Sequence, residues 1–223
     1  MRVMVKYKKS GPAVYISHLD VQRAMQRALR RTKMPVKYSM GFHPHVVLTF
    51  AQPLPVAVTS RAEYMEFGLK EGVAPMAIRD RLNACLPPGL YALDAGYLPD
   101  KAPSLMALVC RCDWDITLSD VKVDSVQQKI VKLLSSEKVM VEKESKKGLR
   151  QVDIRPGVIT CNAVQKGNKV LIETSLKSGG KMNVAPKMLL AGMGIDPRYA
   201  EIERSEIYYD NGGEHFPLNY LIR

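Results

Sequence analysis

The sequence predicts an α+β protein made of two ferredoxin-like (βαββαβ) units in tandem, with antiparallel sheets and helices on one face. Three observations carry that expectation. Hydrophobic periodicity over residues 1–98 switches between 2 and 3.6 in the order strand, helix, strand, strand, helix, strand. A Pro-containing break, PDKAPSLMA, follows at residues 99–107. A similar element order then returns over residues 108–210 with an added strand, leaving a tail, 211–223, whose periodicity is too weak to place.

Each element has a local reason. RVMVKYKK alternates as a strand, and residues 18–33 repeat at helical spacing. VVLTF (46–50) reads as a short strand and AEYMEFGLK (62–70) alternates again. PMAIRDRLNACL forms a second helix that stops at Pro87-Pro88-Gly89, and YALDAGYL is the next strand. Two parallel strands joined through each helix give the split βαβ arrangement. In the second half the expected elements are strand 108–118, helix 124–136 and strand 138–144, then strands 157–164 and 169–177 turning at Lys166-Gly167-Asn168, helix 183–193 and strand 200–209.

Composition narrows the functional classes. The chain has 223 residues and is 46% hydrophobic, enough for buried cores without cross-links. Its longest apolar runs fall well short of the roughly 20 residues that span a bilayer, and the first residues mix charges into a strand, so a soluble, cytoplasmic protein with no membrane association is expected. Cys85, Cys110, Cys112 and Cys161 have neither the density of a disulfide framework nor zinc-finger spacing, and no CxxxCxxC motif is present. No metal and no cofactor are therefore expected. P-loop, GxGxxG, GxSxG and HExxH motifs are absent, and Gly179-Gly180-Lys181 reads as a hairpin-like loop.

The net charge of +11 is regional. Residues 1–50 hold ten Lys or Arg against Asp20 alone, while the rest of the chain holds 23 bases against 21 acids. In the first helix, Ser17 and Asp20 form a capping-box-like start. Val21, Ala24, Met25, Ala28 and Leu29 make one apolar stripe; Arg23, Arg27, Arg30 and Arg31 line the other side, with Lys33 and Lys37 beyond. A solvated helix face usually pairs opposite signs at i, i+4, and no acid follows Asp20 until Glu63. Unpaired guanidinium groups repel one another, so the pattern suits an anionic ligand, and arginine suits phosphate oxygens and bases.

The following turn, VKYSMGFHPH, contains Gly41, Pro44, His43 and His45, and His18 opens the helix. Three readings of these imidazoles compete. They could ligate a metal, although Asp20 is the only nearby acid. They could act as acid and base on a ribose hydroxyl and cleave RNA without metal, a chemistry for which His18, His43 and His45 are the candidates. Or they serve a binding surface in which Tyr15, Tyr38 and Phe42 offer rings for unpaired bases. In the second half, Asp153 and Arg155 stand two apart on an extended segment, as an ion pair or, with Lys146, Lys147 and Arg150, as a basic rim.

Several of these stretches occur together in a known family. ISHLD before an arginine-bearing helix, Pro-Val-x-Tyr-Ser-x-Gly-Phe-His-Pro-His, Ala-x-Pro-Leu-Pro-Val at 51–56, Glu63-Tyr64 and the later Asp-Ile-Arg-Pro resemble the bacterial radical-SAM-linked protein family. That domain of unknown function is found fused to, or encoded beside, a B12-domain-type radical SAM protein, with a G-type ribonuclease and ribosomal proteins among neighbouring genes. The resemblance covers most of the chain and is most specific through residue 70. Family members often carry Asn in place of His43 and Pro in place of Val46.

The expectation is thus an RNA-binding accessory protein that works with a separately encoded radical SAM protein in RNA or ribosome-related modification or processing. Its RNA-binding residues are Arg23, Arg27, Arg30, Arg31, Lys33, Lys37, Tyr38, Phe42 and His45, supported by Ser17, Asp20, Gly41, Pro44, Asp153 and Arg155. The RNA would be structured, with ribosomal and transfer RNA as candidates. The alternatives are the metal-independent RNA-cleaving or RNA-modifying enzyme and an adaptor that docks an acidic protein. The sequence does not specify an oligomeric state.

Overall fold

The computed structural model describes residues 1–145, 148–180 and 182–222. The fold is mixed α+β, and the chain divides into two units. Met1–Val109 and the residues from Glu206 onward form one; Cys110–Ser205 forms the other.

The first unit contains β1 (Arg2–Lys9), α1 (His18–Arg31), β2 (Leu48–Phe50), β3 (Thr59–Gly68), α2 (Pro75–Asn83), β4 (Leu90–Tyr97) and a single turn, α3 (Leu105–Leu108). β1 pairs antiparallel with both β3 and β4, and β2 pairs antiparallel with β3. Glu66 faces Met4 across one edge of β3 and Thr49 across the other, so the order is β4-β1-β3-β2. The strand expected at 46–50 begins only at Leu48, because Val46 bridges Tyr38 before the chain joins β3.

Strand alternation decides what each face meets. Val3, Val5 and Tyr7 share a core with Met65, Phe67, Leu48, Phe50, Ala92 and Ala95. The stripe of α1 (Val21, Ala24, Met25, Ala28 and Leu29) enters that cluster, as do Ile78 and Leu82 of α2. Both helices therefore cover one face of the sheet. α1 starts where Ser17 Oγ accepts the Asp20 backbone N–H at 3.2 Å. It ends where Thr32 Oγ1 donates to Leu29 O at 2.6 Å and Lys33 turns into the left-handed region, with φ of 55°.

On the opposite face, Lys6 Nζ and Tyr64 Oη each donate to Glu206, both at 2.6 Å. Burial, reinforced by the Glu206 charge, pushes the Tyr64 phenol well above its ordinary pKa. The tail set apart in the sequence reading belongs to this unit: Ile222 lies against Gly96, where an added Cβ would come within 2.6 Å of it.

The second unit contains β5 (Val109–Ser119, from Cys110 onward), α4 (Val123–Ser135), β6 (Met140–Ser145), β7 (Gly148–Asp153), β8 (Val158–Lys166), β9 (Lys169–Lys177), α5 (Pro186–Gly192) and the first part of β10 (Ala200–Asn211). The order here is β10-β5-β9-β8. β5 and β9 pair without interruption from Arg111↔Lys177 to Ser119↔Lys169. β8 and β9 turn at Gly167, whose φ of 62° suits glycine. The buried Arg204 guanidinium stacks 4.7 Å from the Trp114 ring centroid. β10 continues into the first unit and pairs there with β11 (Glu214–Pro217).

The single added strand becomes an added hairpin: β6 and β7 pair as a separate two-stranded sheet. GLRQVD was not recognised as a strand because its residues are mostly exposed and carry no alternation to read. Lys146, Lys147 and Lys181 lie outside the described residues. None of the four cysteines is in a disulfide, and burial pushes the Cys161 thiol up to about 11.

Leu29 is fully enclosed, whereas Arg30 is exposed. Leu29→Ala is expected to cost about 2–5 kcal/mol in denaturant unfolding, and Arg30→Ala no more than about 0.5 kcal/mol.

Candidate nucleic-acid interface

Seating the apolar stripe of α1 on the sheet turns its arginines outward. Asp20 accepts from Arg23 Nη1 at 3.1 Å. The Ser17 hydroxyl first, and Arg23 second, hold the Asp20 carboxyl below its ordinary pKa. Arg31 Nη2 donates to the Cys85 carbonyl. Arg27 and Arg30 make no ion pair or side-chain hydrogen bond among the described residues. Lys33 and Lys37 are exposed and likewise unpaired. Among the described residues, no carboxylate from elsewhere in the first unit pairs with this row. Ala24, Arg27, Arg31 and Pro87 line a hollow of about 350 Å³ on the helix surface.

The turn that follows is closed at its base. Tyr38 bridges Val46, and the Ser39 N–H donates to His45 O at 2.8 Å. The His45 N–H donates to Ser39 Oγ at 3.1 Å, and that hydroxyl lies 2.9 Å from His45 Nδ1. The same Nδ1 lies 3.4 Å from the His43 carbonyl oxygen, so both of its neighbours are groups of the turn itself. Gly41 has a φ of 132°, a conformation that side chains resist. Pro44 stiffens the segment. Between these fixed points Met40 and Phe42 are fully exposed.

The three imidazoles are not gathered into one cluster. His18 is half-buried and packs edge-on to Phe50, with ring centroids 4.9 Å apart. Burial first, and the Lys9 charge second, lower its pKa. His45 is tied to Ser39, and the His43 ring is exposed with no partner of its own. Among the described residues no three His, Cys, Asp or Glu side chains are grouped to hold a metal.

Asp153 and Arg155 do not form the expected ion pair. Asp153 Oδ1 accepts the backbone N–H groups of Val139 and Arg155, at 2.9 and 3.0 Å. The Arg155 guanidinium donates to Leu134 O and Val158 O, at 3.1 and 3.2 Å. One carbonyl at the end of α4 and one at the start of β8 outcompete the carboxylate, so both side chains hold loops together. Arg150 is exposed on β7.

The family model DUF2344, described as "uncharacterized protein conserved in bacteria", matches residues 2–186. The chain belongs to that family. The match takes in α1, the Ser39–His45 turn and the Asp153–Arg155 segment of this DUF2344 chain. No curated protein matches. One solved structure, "Crystal Structure of a Cbf5-Nop10-Gar1 Complex", contains a similar chain at 13% identity and a TM-score of 0.47. The likeness covers 92% of this chain and 48% of that one. No helix of the described residues is long and apolar enough to cross a membrane.

Sequence reading missed one constellation. A cavity of about 390 Å³ lies at the root of the turn, bounded by Arg2, Lys37, Tyr38, Val47, Thr49 and Glu66 among others. Thr49 Oγ1 donates to Glu66 Oε1 at 3.0 Å, and Arg2 Nη2 pairs with Glu66 Oε2. Arg2 also donates to the carbonyls of Ala102 and Pro103. The available signal was alternation, which puts Glu66 on the face opposite Met65 and Phe67; the partners required the register.

Two outcomes follow from this geometry. Since the folded pKa of His18 lies below the ordinary 6.5, its contribution to stability is complete above pH 6.5 and falls as pH drops through the lowered folded value. An NMR titration should put the His18 midpoint below those of unfolded histidines, and His18→Phe should flatten that part of the stability profile. Ser39→Ala removes the staple, so limited proteolysis between Met40 and Pro44 should speed up several-fold while global unfolding barely shifts.

Proposed function

We propose that this DUF2344 protein is an RNA-binding accessory protein whose grip is the arginine row of α1 together with the Ser39–His45 turn. The observation that carries the reading is the charge balance of α1. Four arginines project from one face; among the described residues the sole carboxylate engaging them is Asp20 of the same helix, and Arg27 and Arg30 stand uncompensated. Like charges held together lower stability slightly, and a phosphate backbone would reverse that cost. Exposed Phe42 offers a ring on which an unpaired base can stack, and His45 is exposed on the same turn.

In this proposal the RNA is structured, and the protein presents it to a separately encoded radical SAM enzyme in the cytoplasm. Both units are read as ferredoxin-like. The orders β4-β1-β3-β2 and β10-β5-β9-β8, each with two crossover helices, support that reading. Binding is favoured over histidine-driven cleavage because His18 is packed against Phe50 and His45 Nδ1 is engaged by Ser39.

Filter binding of structured RNA across a salt series tests the proposal. If four to six phosphates are neutralised, the slope of log affinity on log salt should lie near roughly −3 to −5. Arg27→Ala with Arg30→Ala should make it shallower by about two. A flat response would overturn the proposal.

A further inference from the structure

We infer that the cavity at the root of the turn is a binding site for guanine nucleotides. Its floor carries a carboxylate, Glu66, only 8% exposed. Each carboxylate oxygen has two acceptor positions, and here each has one protein partner: Thr49 on Oε1 and Arg2 on Oε2. Glu66 therefore retains acceptor capacity on each oxygen among the described residues. Guanine presents two adjacent donors, its ring N–H and its exocyclic amine, and a carboxylate accepts both in parallel. Adenine presents a ring acceptor at the equivalent place and would leave the carboxylate facing a lone pair.

The other walls match the remaining parts of such a ligand. Val47 gives the wall an exposed apolar side chain, and about 390 Å³ is within the ordinary range for small-molecule sites. The Arg2 guanidinium, beside Glu66, has N–H groups beyond its three hydrogen bonds and suits the carbonyl oxygen of guanine. Lys37 lies on the lining with an unpaired ammonium, a suitable partner for a phosphate. A purely structural role for Glu66, neutralising Arg2, would need neither the cavity nor the cationic lining residue.

The site lies on the sheet face opposite α1, so it goes beyond the RNA proposal and does not depend on the arginine row. Its occupant could be a free nucleotide or an unpaired guanine of an RNA; the recognition chemistry is the same. Isothermal titration of the full chain with GMP, AMP, CMP and UMP tests it. GMP is expected to bind at least about tenfold tighter than AMP. Glu66→Gln should erase that preference. Val47→Trp, placed at a half-exposed wall position where folding is not at stake, should block GMP. Lys37→Ala should weaken GMP and leave guanosine unchanged.

GMP binding no tighter than AMP, or wild-type GMP affinity in both Glu66→Gln and Val47→Trp, would overturn the inference. Competition by a guanine-containing single-stranded oligonucleotide, but not an adenine one, assigns the site to an RNA base; no competition assigns it to the free nucleotide. Salt-dependent RNA binding without GMP binding sinks the pocket alone. GMP binding with a flat salt response sinks the RNA proposal alone.

Discussion

Burial of one stripe of α1 against the first sheet is the constraint from which the rest of the first unit follows. Val21, Ala24, Met25, Ala28 and Leu29 must leave water together, and the core of β1, β2 and β3 is where they do so. Once that face is fixed, the rotation of the helix is fixed: Arg27 and Arg30 face solvent, while Arg23 meets Asp20 and Arg31 the Cys85 carbonyl. The hydrophobic term is large enough to impose this. Enclosing one leucine-sized side chain is worth about 2 kcal/mol, against a few tenths of a kcal/mol for each repulsive arginine pair.

The same helix delivers the turn. Its last residues end at Thr32 and Lys33, and the chain must come back to pair with β3, first through Val36 and then through β2. The loop between those two attachments is therefore short of freedom before any side chain acts. Ser39 and His45 remove most of what is left. Exposed Phe42 thus sits on a stiff support, which reduces the ordering cost of binding anything.

How much of this could be read from residues alone varies with the strength of the local pattern. α1 was legible to within two residues because its apolar and basic positions are cleanly segregated over four turns. The strands β1, β3 and β4 were legible because their sequences alternate. β6 was legible as the strand at 138–144, but its partner β7 was not, since a mostly exposed strand has no hydrophobic period. The Asp153 and Arg155 pairing failed for a different reason: proximity in sequence says nothing about backbone carbonyls arriving from α4. The three histidines were expected to have a chance of meeting, yet Phe50 and Ser39 claim two of them separately. Glu66 needed the register of three strands at once, and no window of sequence contains that.

The first unit is discontinuous in sequence, and that has a bearing on its birth. Glu206 supplies the partner of Lys6 and Tyr64, and Ile222 covers Gly96, so two closing contacts of the first unit are encoded 97 and 113 residues after Val109. On the ribosome, the second unit is fully translated before those contacts can form. Nascent β1 and β3 must wait with an ammonium and a phenol unmatched, a window in which a trigger factor or other holdase has time to engage them.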